Sequence, residues 1–238
     1  MPTLKKYTRK LNYSYAPGLF ASIEALKNKP ESVQRILIST KLEDQLLEKL
    51  LTLCKEKNIR MEQADKALSR ISQKENCLAA AVFEKTQHID NSESRHLILH
   101  HPQDMGNVGT ILRTALGFGF LDIAIITPAA DVFDPRVVRA SMGAHFSLNI
   151  KEYESFEEYK SENSERIFYP FMLDGATALE DACAHKKEPF ALIFGNEGSG
   201  LPKEFSHIGK AVKIPHSDKI DSLNLAIAAA IAMYGFTR

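Results

Sequence analysis

Apolar positions along the chain recur with two different spacings. Leu42, Leu46, Leu47, Leu50, Leu53 and Cys54 return every three or four residues, with Glu43, Asp44, Glu48 and Lys49 between them, which predicts an amphipathic helix. Residues 21–28 read as a short helix before it, residues 36–38 as a buried strand, and residues 77–83 as a further strand. Residues 86–95 (TQHIDNSESR) have almost no apolar content and predict a linker, with a domain boundary near residue 92. Beyond it, short apolar runs alternate with helical patterns: 96–99, 108–116, 121–126, 137–140, 167–173, 176–183, 190–194, 212–214 and 223–232. This alternation predicts an α/β fold, a mostly parallel sheet covered by helices on both faces, in which ligands sit at the carboxyl ends of the strands.

The chain has 238 residues, 44% apolar and 25% charged, enough to bury a core in one or two domains. No stretch approaches the roughly 20 uninterrupted apolar residues of a bilayer crossing, which predicts a soluble protein with no membrane partner. Cys54, Cys77 and Cys183 are too few and too scattered for a disulfide framework or a zinc site and fit a reducing, cytoplasmic compartment. The early segment lacks the apolar core and cleavage site of a targeting peptide.

Formal charge balances at 30 against 30, but residues 1–90 carry 16 Lys+Arg against 11 Asp+Glu, net +5, leaving net −5 for residues 91–238. Residues 1–30 hold Lys5, Lys6, Arg9, Lys10, Lys27 and Lys29 against Glu24 alone, with Tyr7, Tyr13 and Tyr15 among them. Such a basic tail with interleaved aromatics suits a phosphate backbone with accessible bases, or else is a solvated tail.

Three segments at predicted strand ends carry the chemistry. In the first, 101–117, a helix capped by Asn107 buries Val108, Ile111, Leu112, Ala115 and Leu116. Arg113 faces away from that stripe with Gly109 and Gly117 four residues to either side, so a bare patch of backbone surrounds one guanidinium. Glycines inside a helix each cost about 1 kcal/mol relative to alanine. The patch reads either as a surface arginine on a weak helix or as the approach for a bulky anion. The second, 191–201, is a buried strand running into a loop with Gly195, Gly198 and Gly200. Leu201-Pro202 stands where a nucleoside triphosphate loop needs Lys and Ser or Thr, the spacing is not that of a dinucleotide fingerprint, and Glu197 puts a negative charge where a phosphate would sit. This loop is predicted to bind something other than a phosphate. The third, 213–224, leads into an alanine-rich helix for which Ser222 is placed as N-cap, and Asn224 sits in the first turn. Its small residues permit close packing, within the chain or against a second copy.

Taken in order, Asn107-x-Gly109-x-x-x-Arg113, then Phe194-Gly195-Asn196-Glu197-Gly198-x-Gly200-Leu201, then Ile214-Pro215 with Ser222-Leu223-Asn224, resemble the three motifs of the SpoU (TrmH-like) RNA ribose 2′-O-methyltransferases of the SPOUT superfamily. Arg139-Ala140-Ser141-Met142-Gly143-Ala144 is a fourth similar stretch. Residues 16–83 resemble, more loosely, the family's small RNA-binding α/β sandwich. The resemblance implies two domains, 1–92 for substrate RNA and 93–238 for methyl transfer, a C-terminal trefoil knot against the usual topological rule, and a homodimer. It implies S-adenosylmethionine held by Gly195, Asn196, Leu201, Ile214 and Leu223, and a reaction site of Arg113, Asn107, Glu197, Ser222 and Asn224. His216 stands where methionine is common. The arginine matching Arg113 has been assigned as the base in the family, although arginine is normally always protonated; a cation beside the developing alkoxide and the adjacent phosphate would also accelerate the reaction. In the same reading Arg113 of one chain acts on cofactor held by the other.

His96, His100 and His101 bracket one predicted strand without a helical His pair or a cysteine partner, so they read as strand-end and core histidines and no metal is expected. The resemblance also implies ribosomal over transfer RNA, since family members acting on transfer RNA often lack the extra N-terminal domain. A transfer-RNA methyltransferase, a non-catalytic RNA-binding protein that retains the fold, and a nucleotide-dependent enzyme are the competing readings.

Overall fold

A computed structural model describes residues 4–72, 77–88 and 95–238. Most of the expected linker, 89–94, lies outside the described residues, although Gln87 and His88 already bond to the strand at 149–153. The chain forms two compact units, Met1–Thr86 with Asp131–Ser147, and Gln87–Ala130 with Leu148–Arg238.

Along the chain, β1 (Tyr13–Pro17), α1 (Leu19–Asn28), β2 (Val33–Ile38), α2 (Asp44–Glu56), β3 (Arg60–Gln63), α3 (Asp65–Ile71) and β4 (Ala79–Glu84) build the first unit. β5 (Arg95–His100), α4 (Met105–Gly117) and β6 (Asp122–Ile126) open the second, and α5 (Pro135–Ala140) belongs to the first again. The second is completed by β7 (Asn149–Tyr153), α6 (Phe156–Glu162), β8 (Ile167–Pro170), β9 (Thr177–Ala178), α7 (Leu179–Ala184), β10 (Phe190–Phe194), β11 (Val212–Lys213) and α8 (Leu225–Phe236).

The first unit is a mixed sheet in the order β1-β4-β2-β3, with β4 antiparallel to both its neighbours and β2 parallel to β3. The periodicity that predicts α2 also sets its inner face, since Leu50 and Cys54 are buried and Glu43, Glu48 and Lys49 are exposed. A fully buried leucine contributes about 1.5–3 kcal/mol. Tyr15, Leu37, Leu68, Ala80 and Val82 form one core cluster.

Two segments singled out in the sequence take their places here. Of the aromatics of the basic segment, Tyr15 is fully buried on β1, while Tyr13, which meets it edge-on at 5.7 Å, and Tyr7, whose hydroxyl donates to Asp131 at 2.5 Å, are half-buried. Lys5, Lys6 and Lys10 remain exposed. The stretch 139–144, expected in the methyl-transfer half, lies in the first unit. There the Ser14 hydroxyl donates to the Phe133 carbonyl, Lys85 sits 4.7 Å from the Tyr7 ring centre, and Phe83 meets Phe146 edge-on at 4.9 Å. His145 lies among Phe83, Phe133 and Phe146, and burial pushes its imidazole down to about 3, which makes it a neutral core ring.

The second unit is a five-stranded, all-parallel sheet ordered β7-β6-β5-β10-β8, with a small parallel pair β11-β9. Because side chains alternate along a strand, Ile98, Ala124, Ile126, Ala191 and Ile193 pack on one face with Phe156 and Tyr159 of α6. The other face carries α8, which packs on β10 and beside α4 and α7. At the amino ends of the strands, His96 holds Tyr159 at 2.8 Å and Asp122 at 3.1 Å, and Asn149 donates to Asp122 at 2.8 Å. His96 is thus a core residue. Among the described residues no helix is long and apolar enough to cross a membrane.

Candidate functional site

At the carboxyl ends of the strands, three separate segments meet through side-chain amides and one carboxylate. The N-cap of α4 is Asp104, whose side chain accepts the Asn107 N–H at 2.7 Å; the sequence pattern assigns that role to Asn107. Both residue types cap well, and the outcome leaves the Asn107 amide free for other partners. Its Nδ2 donates to Glu197 Oε1 at 3.4 Å, and its Oδ1 accepts from Asn224 Nδ2 at 3.1 Å. Asn224, not Ser222, caps α8, accepting from the N–H groups of Ala226 at 2.9 Å and Ile227 at 3.3 Å. Asn107, Glu197 and Asn224 therefore form one continuous chain of hydrogen bonds.

Glu197 also accepts the backbone N–H groups of Gln103 at 3.0 Å and Asp104 at 2.9 Å. Burial alone would raise its carboxyl, but these donors and the Asn107 amide outweigh it and hold the group below its ordinary value of 4.5. With a folded value below the unfolded one, the stabilisation is present in full above about 4.5 and is lost as pH falls through the folded value. Glu197→Gln is expected to lower Tm at pH 7, by a margin that shrinks as pH falls through the folded value. A Tm difference that stays constant down to about pH 3 would mean that the charge is not its source.

Glu197 and Ser222 also line a pocket of about 510 Å³, together with all five residues expected to hold a cofactor: Gly195, Asn196, Leu201, Ile214 and Leu223. Phe171 and Phe194 add a stacked pair of rings 4.6 Å apart. The loop after β10 turns back on itself, with Asn196 and Gly200 exchanging backbone hydrogen bonds at 3.2 and 2.9 Å. Gly195 is required by that turn, because a Cβ there would lie 2.2 Å from the Gly200 carbonyl carbon and 2.3 Å from the Leu201 nitrogen. The Asn196 side chain braces the loop, donating to the His101 carbonyl at 2.9 Å and accepting from Gly198 N–H at 2.9 Å. His216, on the same wall, lies with Nδ1 2.9 Å from the Ile214 carbonyl, so it pins its own turn with a proton on that nitrogen.

Arg113 stands apart from this network. It is exposed on α4, lines no part of the pocket, and makes no ion pair among the described residues. The bare backbone expected around it holds at Gly117, where an added Cβ meets nothing within 4 Å; Gly109 is buried. Among the described residues no group of His, Cys, Asp and Glu is arranged to hold a metal ion.

Sequence reasoning missed the far wall. The run 167–173 reads as one strand, but β8 ends at Pro170, and Phe171, Met172, Leu173 and Asp174 turn away to line the pocket. The Asp174-Gly175 pair was the available signal: a Cβ at Gly175 would lie 2.5 Å from the Val212 carbonyl carbon, so two chain segments pass there in close contact.

Comparison with known proteins returns two family matches on this chain. Residues 94–234 match the SpoU rRNA Methylase family, and residues 15–77 match the RNA 2′-O ribose methyltransferase substrate binding family. The chain is 32% identical over 144 residues to the 23S rRNA (guanosine(2553)-2′-O)-methyltransferase RlmP of Bacillus subtilis, covering 58% of this chain and 56% of that protein. It spans about half the length of several curated relatives that it matches. An AdoMet-bound rRNA methyltransferase from Sinorhizobium meliloti superposes with a TM-score of 0.79 at 25% identity, covering 94% of this chain and 87% of that one. A structure concerned with 2-OH methylation of C/U34 on tRNA superposes with a TM-score of 0.57 at 29% identity, over 60% of this chain and 94% of its own.

Proposed function

Because the chain belongs to the SpoU rRNA methylase family, we propose that it transfers a methyl group from S-adenosylmethionine to a ribose 2′-hydroxyl of ribosomal RNA. The observation that carries this reading is the hydrogen-bonded chain Asn107–Glu197–Asn224 beside the pocket built by the loop after β10. The pocket suits that cofactor. Its walls are largely apolar side chains and loop backbone, and its charged residues balance, Asp174 and Glu197 against Lys203 and Lys213. Gly195, Leu201, Ile214 and Leu223 would hold it, and when bound it supplies a methyl group already activated by a sulfonium.

Placement of the hydroxyl is then the task of the protein. Glu197 is a fixed anion, since both its oxygens already accept N–H donors, and it orients the Asn107 amide rather than removing a proton. Asn224 holds the other end of that amide and ties α8 to α4. Arg113, a permanent cation, faces the phosphate next to the methylated ribose and stabilises the alkoxide that develops as the hydroxyl proton passes to solvent water. The first unit supplies RNA affinity, with Lys5, Lys6 and Lys10 exposed for phosphate contacts that weaken with salt.

Ribosomal rather than transfer RNA is favoured by the N-terminal unit. The tRNA-related structure accounts for 60% of this chain, whereas the Sinorhizobium rRNA methyltransferase aligns over 94% of it. The test is a map of 2′-O-methyl positions in total RNA from cells with and without the gene. Alkali cleaves only beside a free 2′-hydroxyl, so one gap in the ribosomal RNA ladder should disappear with the gene. A gap lost only from transfer RNA would move the substrate, and identical ladders would end the proposal.

The functional unit in this reading is a homodimer. α8 exposes Ile227, Ile231 and Tyr234 at 53%, 36% and 46%, three positions on one helical face that a second copy would cover. Ile231→Glu is expected to give a monomer by sedimentation equilibrium and to lose methyl transfer with it. A variant that stays dimeric would place the contact elsewhere.

A further inference from the structure

A second hollow, of about 340 Å³, lies at the carboxyl ends of β5 and β6 and shares Asn196, Ser199 and Gly200 with the first pocket. Its volume falls in the lower range of small-molecule sites. His100 and His101 form one wall, with ring centres 3.9 Å apart and planes inclined by 31°. His101 takes a positive φ of 57°, uncommon for a side chain of this size, and its position is fixed by three hydrogen bonds. Its N–H donates to the Ile126 carbonyl at 3.1 Å, and its own carbonyl accepts from Asn196 at 2.9 Å and Gln103 at 3.3 Å.

The chemistry of this hollow is that of a base rather than a phosphate. Neither Lys nor Arg lines it. Burial, then the neighbouring His101, pushes the His100 imidazole down to about 4, so that ring is neutral at physiological pH although Glu157 and Glu204 oppose the shift. What it offers is a flat imidazole face for stacking, the proline rings of Pro128 and Pro202, and polar atoms for a base edge. Gln103 Nε2 is committed to the Pro128 and His101 carbonyls, which leaves its Oε1 facing no donor among the described residues, and Ser199, whose hydroxyl donates to Asn196 Oδ1 at 3.4 Å, also lines the hollow. The wall is also continuous with the reaction site: Gln103 N–H bonds Glu197, and Asn196 immediately precedes it.

We propose that this hollow receives one unpaired nucleobase of the substrate RNA, stacked on His101 and read by Gln103 and Ser199, and so sets which nucleotide is presented for methylation. The inference rests on the RNA methyltransferase reading given above. A ribose must be held in line with the methyl donor, and a base seated one residue from Glu197 fixes the sugar far better than phosphate contacts do, since stacking and edge hydrogen bonds resist rotation.

Two measurements test it. In the first, imidazole Cε1–H resonances of the whole wild-type protein are followed by NMR with the four nucleoside 5′-monophosphates and with inorganic phosphate. One or two of the nucleotides should shift the His100 and His101 signals, and phosphate should not. Shifts by phosphate alike, or by none of them, would overturn the proposal, and this arm needs no methyl transfer at all. In the second, His101→Asn, which tolerates the left-handed backbone, should raise KM for ribosomal RNA from a strain lacking the gene by at least about fivefold, with kcat and S-adenosylmethionine affinity unchanged. His101→Phe should restore KM by restoring the stacking surface. Equal KM in all three proteins, or a loss confined to kcat, would remove the hollow from RNA recognition. A wild type that transfers no methyl group to any RNA would instead sink the enzymatic reading, and the nucleotide titration would still decide whether the hollow binds a base.

Discussion

Arg113→Ala should lower methyl transfer by about 10²–10³-fold while leaving S-adenosylmethionine affinity within a few-fold of wild type. The expectation follows from position: Arg113 is exposed on α4, lines no part of the cofactor pocket and makes no ion pair among the described residues, so its removal disturbs neither the fold nor the cofactor. What is lost is a cation beside the developing charge, a contribution made in the transition state and therefore visible in kcat. Arg113→Lys should recover little, because a point charge on a flexible stem does not reproduce the planar fork that spans a phosphate and a neighbouring oxygen. Calorimetry with the cofactor and single-turnover methylation of ribosomal RNA measure the two quantities separately. Near-normal turnover of the alanine variant would take Arg113 out of the mechanism.

The second large effect is expected at Gly195, on the cofactor side. Its added methyl group would lie 2.2–2.4 Å from three backbone atoms of Gly200 and Leu201, none of which can swing aside as a side chain can. Overpacking against backbone costs about 1–3 kcal/mol, so Gly195→Ala should weaken S-adenosylmethionine binding by roughly 10- to 100-fold. Gly117→Ala, where the added atom meets open space, is the control and should cost nothing. Mixing then joins the two predictions. Heterodimers of Arg113→Ala with Gly195→Trp should recover one working site in two if Arg113 serves the cofactor of the other chain, whereas sites built within one chain would recover nothing at any ratio.

What was legible in the sequence was local or chemically singular. The Leu42–Cys54 periodicity, the apolar run 190–194 and the glycine loop after it need no partner to be recognised, and the motif residues carry side chains unusual for their positions. Three features were hidden because distant chain decides them. β1 looks like part of a basic tail until Tyr13–Pro17 pairs antiparallel with β4, some seventy residues later. Two capping residues compete at the start of α4, and the choice of Asp104 is coupled to Glu197, which accepts the Asp104 N–H, and to Asn224, which donates to the Asn107 amide oxygen. β7, NIKEY, alternates too weakly to stand out, as befits an edge strand.

The excursion at 131–147 means that this protein cannot be divided by one cut. A fragment beginning at residue 93 would carry Phe133, His145 and Phe146 without Phe83, and Asp131 without Tyr7. It would therefore display an unclothed core fragment and should aggregate or bind chaperones on expression, as judged by light scattering. The reciprocal fragment, 1–86, would lack the chain that covers the other side of Phe83 and Ser14. Replacing residues 131–147 by a short Gly/Ser bridge in the first fragment, and appending them through a flexible linker to the second, should restore both as soluble pieces. Recombination between relatives faces the same constraint: a crossover near residue 90 exchanges a head without its seventeen-residue keystone, so working hybrids require two crossovers more, on either side of that segment.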